Sequence, residues 1–257
     1  MGKVIAIANQ KGGVGKTTTQ VNLSACVAAL GRRVLSVDMD PQANATSGLG
    51  LAAAEGLSIY NAIVGDVDAV DCVLQTKIES LHLLPADIQL AASEVELVNL
   101  NNREYVLSNV LSEIKNQYDY LFIDCPPSLG LLTINALCAS DLVIVPIQCE
   151  YYALEGVGQL MNTVRRVQRR LNTRLSIEGV VLTMLDGRTN LGIQVVQEVK
   201  RHFRGQVYGT IIPRNVRLSE APSHGLPIHL YDPSSMGAEA YRDLAEEFIN
   251  RCEGRPS

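Results

Sequence analysis

The feature that most constrains this chain is a glycine-rich loop close to its start. Residues 10–18 read Q-K-G-G-V-G-K-T-T. An apolar run, Val4–Ala8, precedes the loop, and a helical pattern, Lys16–Leu30, follows it and stops at Gly31. A strand, a glycine-rich turn and a helix in that order form the frame of a phosphate-binding loop. Gly12, Gly13 and Gly15 let the backbone curl so that successive N–H groups point inward. Those donors, with the N-terminus of the helix behind them, suit phosphate oxygens. The loop reading therefore takes in Lys11, Gly12, Gly13, Val14, Gly15, Lys16, Thr17 and Thr18. Lys16 is expected to reach the β- and γ-phosphates, Thr17 to offer its hydroxyl to Mg²⁺, and Thr18 to meet the α-phosphate. The general pattern G-x-x-x-x-G-K-[ST] asks for glycine at position 10, where this chain has Gln10, and a second lysine, Lys11, follows it.

The rest of the chain alternates in the same way. Candidate strands are Val4–Ala8, Arg33–Val37, Leu81–Leu84, Tyr120–Ile123, Leu142–Pro146, Gly179–Met184 and Gln206–Ile212. Several are apolar at consecutive positions, as in strands buried on both faces. Helices are expected at Lys16–Leu30, Arg103–Asn116, Glu155–Leu171, Asn190–Arg204 and Ser235–Arg251. In the third, Val157, Leu160, Met161, Val164, Val167 and Leu171 fall on one stripe. The β-α alternation implies an α/β fold: a doubly wound, mostly parallel sheet with helices on both faces and right-handed crossovers. Ligands in such sheets lie at the carboxyl ends of the strands. The Ala- and Gly-rich stretch Gln42–Gly56 reads as a mobile loop. No linker breaks the pattern, so the 257 residues are read as a single P-loop ATPase domain, 1–257.

Two strand ends carry acids. One runs into Asp38-Met39-Asp40-Pro41-Gln42 and another into Asp124-Cys125-Pro126-Pro127-Ser128. A carboxylate after a strand is expected to hold Mg²⁺, usually through water, and Asp124 suits that role best. One of Asp38 and Asp40 should orient the attacking water. A lone strand-end Asp is more often a turn or cap residue, but three of them beside a phosphate loop favour the metal reading.

Composition narrows the classes. No apolar run approaches the roughly 18–20 residues that cross a bilayer, and a first strand at Lys3 leaves no room for a leader peptide. The six cysteines lack C-x-x-C spacing and suit reduced, packed thiols in a cytosolic protein. Net charge is −5, but it is unevenly spread: residues 1–150 carry −8 and residues 160–217 carry +8. That basic segment holds Arg165, Arg166, Arg169, Arg170, Arg174, Arg188, Lys200, Arg201, Arg204, Arg214 and Arg217. A solvated helix face is the ordinary reading of such charges, and a polyanion surface is the other.

The chain resembles the ParA/MinD group of deviant-Walker-A ATPases, and within it the Soj/ParA chromosome-partitioning proteins. The resemblance rests on K-G-G-V-G-K-T-T at 11–18, V-D-M-D-P-Q at 37–42 and F-I-D-C-P-P-S at 122–128. It extends to P-I-Q-C-E-Y-Y-A-L-E-G at 146–156 and I-P-R-N-V-R-L-S-E-A-P-S at 212–223. It implies that Lys11 reaches across a dimer to the partner's nucleotide, and that Lys16 and Thr17 are the loop lysine and Mg²⁺ ligand. Asp40 then matches the acid needed for hydrolysis, with Asp38 and Asp124 near Mg²⁺. Lys11, Lys16 and Asp40 form the implied catalytic set, and Pro213 and Asn215 hold the adenine. Gly12 leaves room for a sandwich dimer, and Arg188 and Arg217 bind DNA. The implied cofactors are ATP and Mg²⁺. The implied partners are a second copy, nonspecific double-stranded DNA and a ParB-like centromere-binding protein, with a cytoplasmic, nucleoid-associated location. A membrane-surface regulator like MinD would need a basic amphipathic C-terminal helix, which the tail Phe248–Ser257 does not resemble. An iron–sulfur reductase of the nitrogenase type would need a cysteine near position 131, where this chain has Leu131. The helix-turn-helix of larger plasmid ParA proteins has no room ahead of Lys3.

Overall fold

Short runs of Val, Ile and Leu cannot stay in water, and the backbone groups they carry into the interior must find partners there. The chain meets both demands with one eight-stranded sheet. The computed structural model describes residues 2–150, 157–188 and 190–254. Among these the elements run β1 Lys3–Ile7, α1 Lys16–Ala29, β2 Val34–Asp38, α2 Asn44–Gly48, α3 Ile59–Val64, α4 Ala69–Cys72, β3 Leu74–Gln75 and β4 Leu81–Leu84. They continue with α5 Leu90–Glu96, α6 Val106–Ser112, β5 Tyr120–Asp124, α7 Leu131–Ala139, β6 Leu142–Gln148, α8 Val157–Arg170, β7 Ser176–Leu185, α9 Asn190–His202, β8 Val207–Pro213, α10 Val216–Glu220, α11 Ile228–Tyr231 and α12 Met236–Glu253.

The strand order is β3-β4-β2-β5-β1-β6-β7-β8, with every neighbour parallel except the short β3 against β4. Alternate residues of one strand serve opposite faces. In β5, Tyr120 and Phe122 pack with α1 and α12, whereas Leu121 and Ile123 pack with the core on the other side. In β1, Ile5 and Ile7 go to the first side and Val4 and Ala6 to the second. This explains why the strands are apolar at consecutive positions. Each buried Leu, Ile or Phe contributes roughly 1.5–3 kcal/mol, so the sheet interior dominates stability. On the α12 side the Phe122 and Phe248 rings lie 5.3 Å apart.

Seven strands and most long helices match the sequence reading to within a few residues. Helix α8 buries Val157, Leu160, Met161, Val164 and Val167 as expected; Leu171 is half-buried, and the expected start at Glu155 lies outside the described residues. Three differences stand out. The expected mobile loop Gln42–Gly56 instead contains α2, with Ala45, Thr46, Gly48 and Leu49 buried. The backbones at Gly50 and Gly225 also approach so closely there that a Cβ on either would meet the other glycine. The expected helix Arg103–Asn116 is only α6, flanked by tight turns at Arg103–Tyr105 and Lys115–Gln117. The Asn135 side chain takes the Leu107 N–H at 3.1 Å and donates to the Arg103 carbonyl at 2.8 Å, replacing the first helical bond of the expected span, so α6 starts late. The two-residue β3 carries no periodic signal and is absent from the sequence reading.

Candidate nucleotide site

The phosphate loop leaves β1 and enters α1, where Gly15 is the N-cap. Gly13 and Gly15 have φ of 74° and 89°, a region that side chains strain to occupy. The loop is pinned from below: Val14 is buried, and its carbonyl accepts the Thr183 hydroxyl of β7 at 2.8 Å. Thr18 is held in the first turn, where its carbonyl accepts the Asn22 amide at 2.8 Å. Gly12 and Gly13 stand exposed, and a Cβ on either would meet nothing within 4 Å among the described residues. None of the described residues therefore requires Gly12 to be small.

Lys16 is buried, 7% exposed, and its ammonium donates to the Lys11 carbonyl at 3.3 Å. Burial pulls its pKa down, opposed by the nearby Asp124, Cys125 and Asp40. It is a preformed cation bent over the loop. Lys11 is half-exposed; its backbone N–H is held by Asn9 Oδ1 at 3.1 Å, and its ammonium has no partner among the described residues.

The strand register sets the acids. Asp38 at the end of β2 pairs with Asp124 at the end of β5, and Asp124 also pairs with Ile7, the last residue of β1 before the loop. Asp124 is fully buried, and its Oδ2 accepts the Thr17 hydroxyl at 2.7 Å. Its Oδ1 is buried without a hydrogen-bond partner among the described residues. Burial first, then the charge of Asp38, pushes its carboxyl well above the usual range, while the Thr17 bond opposes the shift. An orphan carboxylate oxygen beside a hydroxyl fits a hard divalent cation, which takes oxygen ligands of this kind. The Thr17 and Asp124 expectations thus converge on one point.

Both carboxylate oxygens of Asp38, the other expected metal residue, are bonded within the chain. Its Oδ1 accepts the Asp40 N–H at 3.1 Å, and its Oδ2 accepts both the N–H and the hydroxyl of Thr46 at 2.8 and 2.7 Å. Burial raises its pKa to about 6 in spite of these bonds. Asp38 therefore positions the turn that carries Asp40. Asp40 is 8% exposed, with Oδ1 accepting the Gln42 N–H at 3.0 Å.

A cavity of about 350 Å³ opens beside the loop, lined by Gly15, Thr18, Thr183, Met184, Pro213, Asn215, Leu218, Pro222 and Tyr241 among others. It brings the expected adenine residues Pro213 and Asn215 against the phosphate loop, and its size suits a nucleoside. Asn215 also caps α10: its Oδ1 accepts the Arg217 N–H at 2.8 Å. Met184, with φ of 54°, is a strained non-glycine residue on the wall. Thr46, Thr183, Met184 and Tyr241 escape the sequence reading.

Arg188 and Arg217 are exposed, as a DNA role needs, but neither is idle. Arg188 pairs with Asp186 at 2.7 Å, and Arg217 pairs with Glu220 at 2.8 Å and Asp232 at 3.3 Å. The α8 arginines 165, 166, 169 and 170 make no ion pair among the described residues. Cys125 lies buried directly after Asp124, and Cys138 packs on α7 in the core; all six thiols are free.

Comparison with known proteins decides the family. A family model described as an AAA domain, AAA_31, matches residues 2–177. The sporulation initiation inhibitor protein Soj of Bacillus subtilis is 65% identical over 248 residues, covering 96% of this chain and 98% of that protein. This chain belongs to the Soj/ParA family. The chromosome-partitioning ATPase Soj of Treponema pallidum is 51% identical, with 98% of each chain covered. Among solved structures, a Mycobacterium smegmatis protein called cobyrinic acid a,c-diamide synthase, with bound ADP and magnesium, superposes with a TM-score of 0.87. It is 39% identical, over 99% of this chain and 97% of that one. The activity in its name differs from partitioning, so fold likeness alone does not choose the reaction.

Proposed function

We propose that this chain is a single-domain DNA-segregation ATPase whose ATP-bound form pairs with a second copy and grips DNA without reading sequence. Its chemistry is Mg-ATP hydrolysis to ADP and phosphate. The loop amides and Lys16 hold the triphosphate, and Thr17 and Asp124 would hold Mg²⁺, which supplies charge neutralisation when bound. Asp40, fixed through Asp38, orients the attacking water. Pro213 and Asn215 hold the base.

The observation that carries the pairing is Lys11. Its ammonium has no partner among the described residues, and it adjoins a glycine that none of the described residues requires to be small. Two nucleotides meeting at a two-fold interface concentrate negative charge, and a lysine from each copy neutralises the other's. At ~4 Å and an effective dielectric near 20, one such pairing is worth on the order of 4 kcal/mol. Loss of the outermost phosphate removes much of that attraction, so the pair senses the γ-phosphate.

For DNA, pairing doubles a patch that includes Arg188 and Arg217. Their intramolecular ion pairs are exposed, and such pairs are worth only about 0.2–1 kcal/mol, so a phosphate can displace them. Asn215 lines the nucleotide cavity and also fixes the Arg217 backbone, which ties the base site to the DNA surface. A ParB-like partner triggers hydrolysis and release, and the protein resides in the cytoplasm on the nucleoid. Helix α12 spends one face on the core, which favours this reading over a MinD-like membrane role. Anisotropy of a labelled random-sequence duplex tests it: tight binding with a non-hydrolysed ATP analogue and weak binding with ADP is expected. Equal binding in both states refutes it.

A further inference from the structure

Helix α5 uses both of its faces in an unusual way. Its turns continue past Glu96 through a tight turn at Leu97–Asn99. The inner face buries Leu90, Ser93 and Leu97 to 1% exposure or less. The outer side is apolar too: Ile88 is 69% exposed, Val95 74%, Val98 48% and Leu100 51%. Ala91 and Ala92 are also exposed. Positions 88, 91, 92, 95 and 98 follow helical spacing and form one stripe. Scattered exposed apolar residues need no explanation, but a continuous stripe marks an interaction surface.

The rim of the stripe is acidic. There is no Lys or Arg between Lys77 and Arg103, whereas Glu94 and Glu96 fall on α5 and Asp87 lies just ahead of it. Glu96 accepts the Tyr60 hydroxyl at 3.2 Å. Burial first, then that bond and the charges of Glu96, Asp66 and Asp87, push the Tyr60 phenol up, so these carboxylates share one neighbourhood. Arg103, at the far end, is occupied by the Val98 carbonyl at 2.6 Å and Glu104 at 3.3 Å. A second copy docking here across a two-fold axis would bring the same carboxylates onto each other, which is repulsive. An anionic lipid surface is repelled for the same reason.

We propose that the outer face of α5 docks an amphipathic segment of a partner protein in which Lys or Arg side chains flank apolar anchors. The face is also joined to the nucleotide site. One oxygen of Glu94 is buried without a partner among the described residues, and the carboxylate lies so close to Gly130 that a side chain there would run into it. Gly130 is the N-cap of α7 and closes the loop that follows Asp124. Docking at this face therefore takes place beside the loop that follows Asp124. The docking does not rest on the ATPase reading above.

The test uses two fluorescein-labelled 18-residue amphipathic helical peptides, identical except for Lys or Glu beside a leucine stripe. Each is titrated by anisotropy with the full chain, wild type and the Ile88→Ser/Val95→Ser double variant, whose changes are exposed and whose fold is checked by circular dichroism. The lysine peptide should bind at least about tenfold tighter than the glutamate peptide. The double variant should lose at least about tenfold, which is about 1.4 kcal/mol. Equal binding of the two peptides, or wild-type binding by the variant, overturns the proposal. So does loss of ATP-dependent pairing in the variant, which would assign the face to a second copy. Pairing and DNA binding are measured on the same proteins without peptide, so their failure in the wild type counts against the ATPase switch and leaves the titration interpretable.

Discussion

Replacing Thr46 by valine tests how the acids are held. Thr46 is 2% exposed, and its hydroxyl donates to Asp38 Oδ2 at 2.7 Å while accepting the Ala86 N–H at 3.1 Å. Valine has nearly the same volume, so no cavity opens. Two polar interactions vanish: a hydrogen bond to a buried carboxyl, worth about 1.5–3 kcal/mol, and the partner of a buried N–H, whose orphaning costs about 1–3 kcal/mol. The Thr46 N–H bond to Asp38 at 2.8 Å survives in the variant, so the total should stay near ~3 kcal/mol. For a chain of this size each kcal/mol moves Tm by about 2–4 °C, a fall of about 6–12 °C by scanning calorimetry without nucleotide. Thr46→Ser keeps the hydroxyl and should show no more than about a third of that fall. In steady-state ATP turnover Thr46→Val should lower kcat with KM little changed, because Asp40 loses its anchor while the phosphate loop does not. If Thr46→Val melts within ~1 °C of wild type at unchanged kcat, the hydroxyl is not what fixes the two acids.

Arg217→Ala and Arg188→Glu should weaken duplex binding and lower the magnitude of the log K against log [salt] slope by about 1 for each DNA phosphate that goes unneutralised. ATP affinity should be retained; identical slopes for all three proteins would remove these arginines from the DNA surface. The nucleotide-free protein should lose stability as pH rises from near 4 to near 6. Asp38 has its folded pKa raised from 3.8 to about 6, so the native state holds that proton more tightly and the advantage disappears as the group ionises. Asp124 shifts in the same direction. Asp38→Asn should flatten this fall in Tm, and a wild-type Tm that climbs steadily between pH 4 and 6 would contradict the sign.

The sheet is legible in the sequence because its strands are buried on both faces, so they read as short unbroken apolar runs with acids or glycines at their ends. Boundaries slip where polarity misleads. The sequence reading starts β2 at Arg33, yet Arg33 is exposed and pairs with Asp119 at 3.0 Å, so the strand begins one residue later. The phosphate loop and the acids Asp38, Asp40 and Asp124 are readable from local context alone. Thr46 is not, since its partners lie 8 and 40 residues away and its own surroundings are Ala, Asn and Gly. Tyr241 reaches the cavity from α12, and its hydroxyl lies 3.2 Å from that of Thr19, 222 positions earlier. Sequence context already favours Asp124 for Mg²⁺, but only the folded arrangement shows that Asp124 meets Thr17 while Asp38 is bonded to Thr46.

Light scattering of the purified chain with ADP and with ATP, for wild type, Lys11→Ala and Asp40→Ala, bears most directly on the trans lysine and the γ-phosphate. Asp40→Ala should accumulate as a dimer with ATP and stay monomeric with ADP, while Lys11→Ala should remain monomeric with either. A Lys11→Ala protein that dimerises with ATP as wild type does, or an Asp40→Ala protein that stays monomeric at saturating ATP, would contradict it.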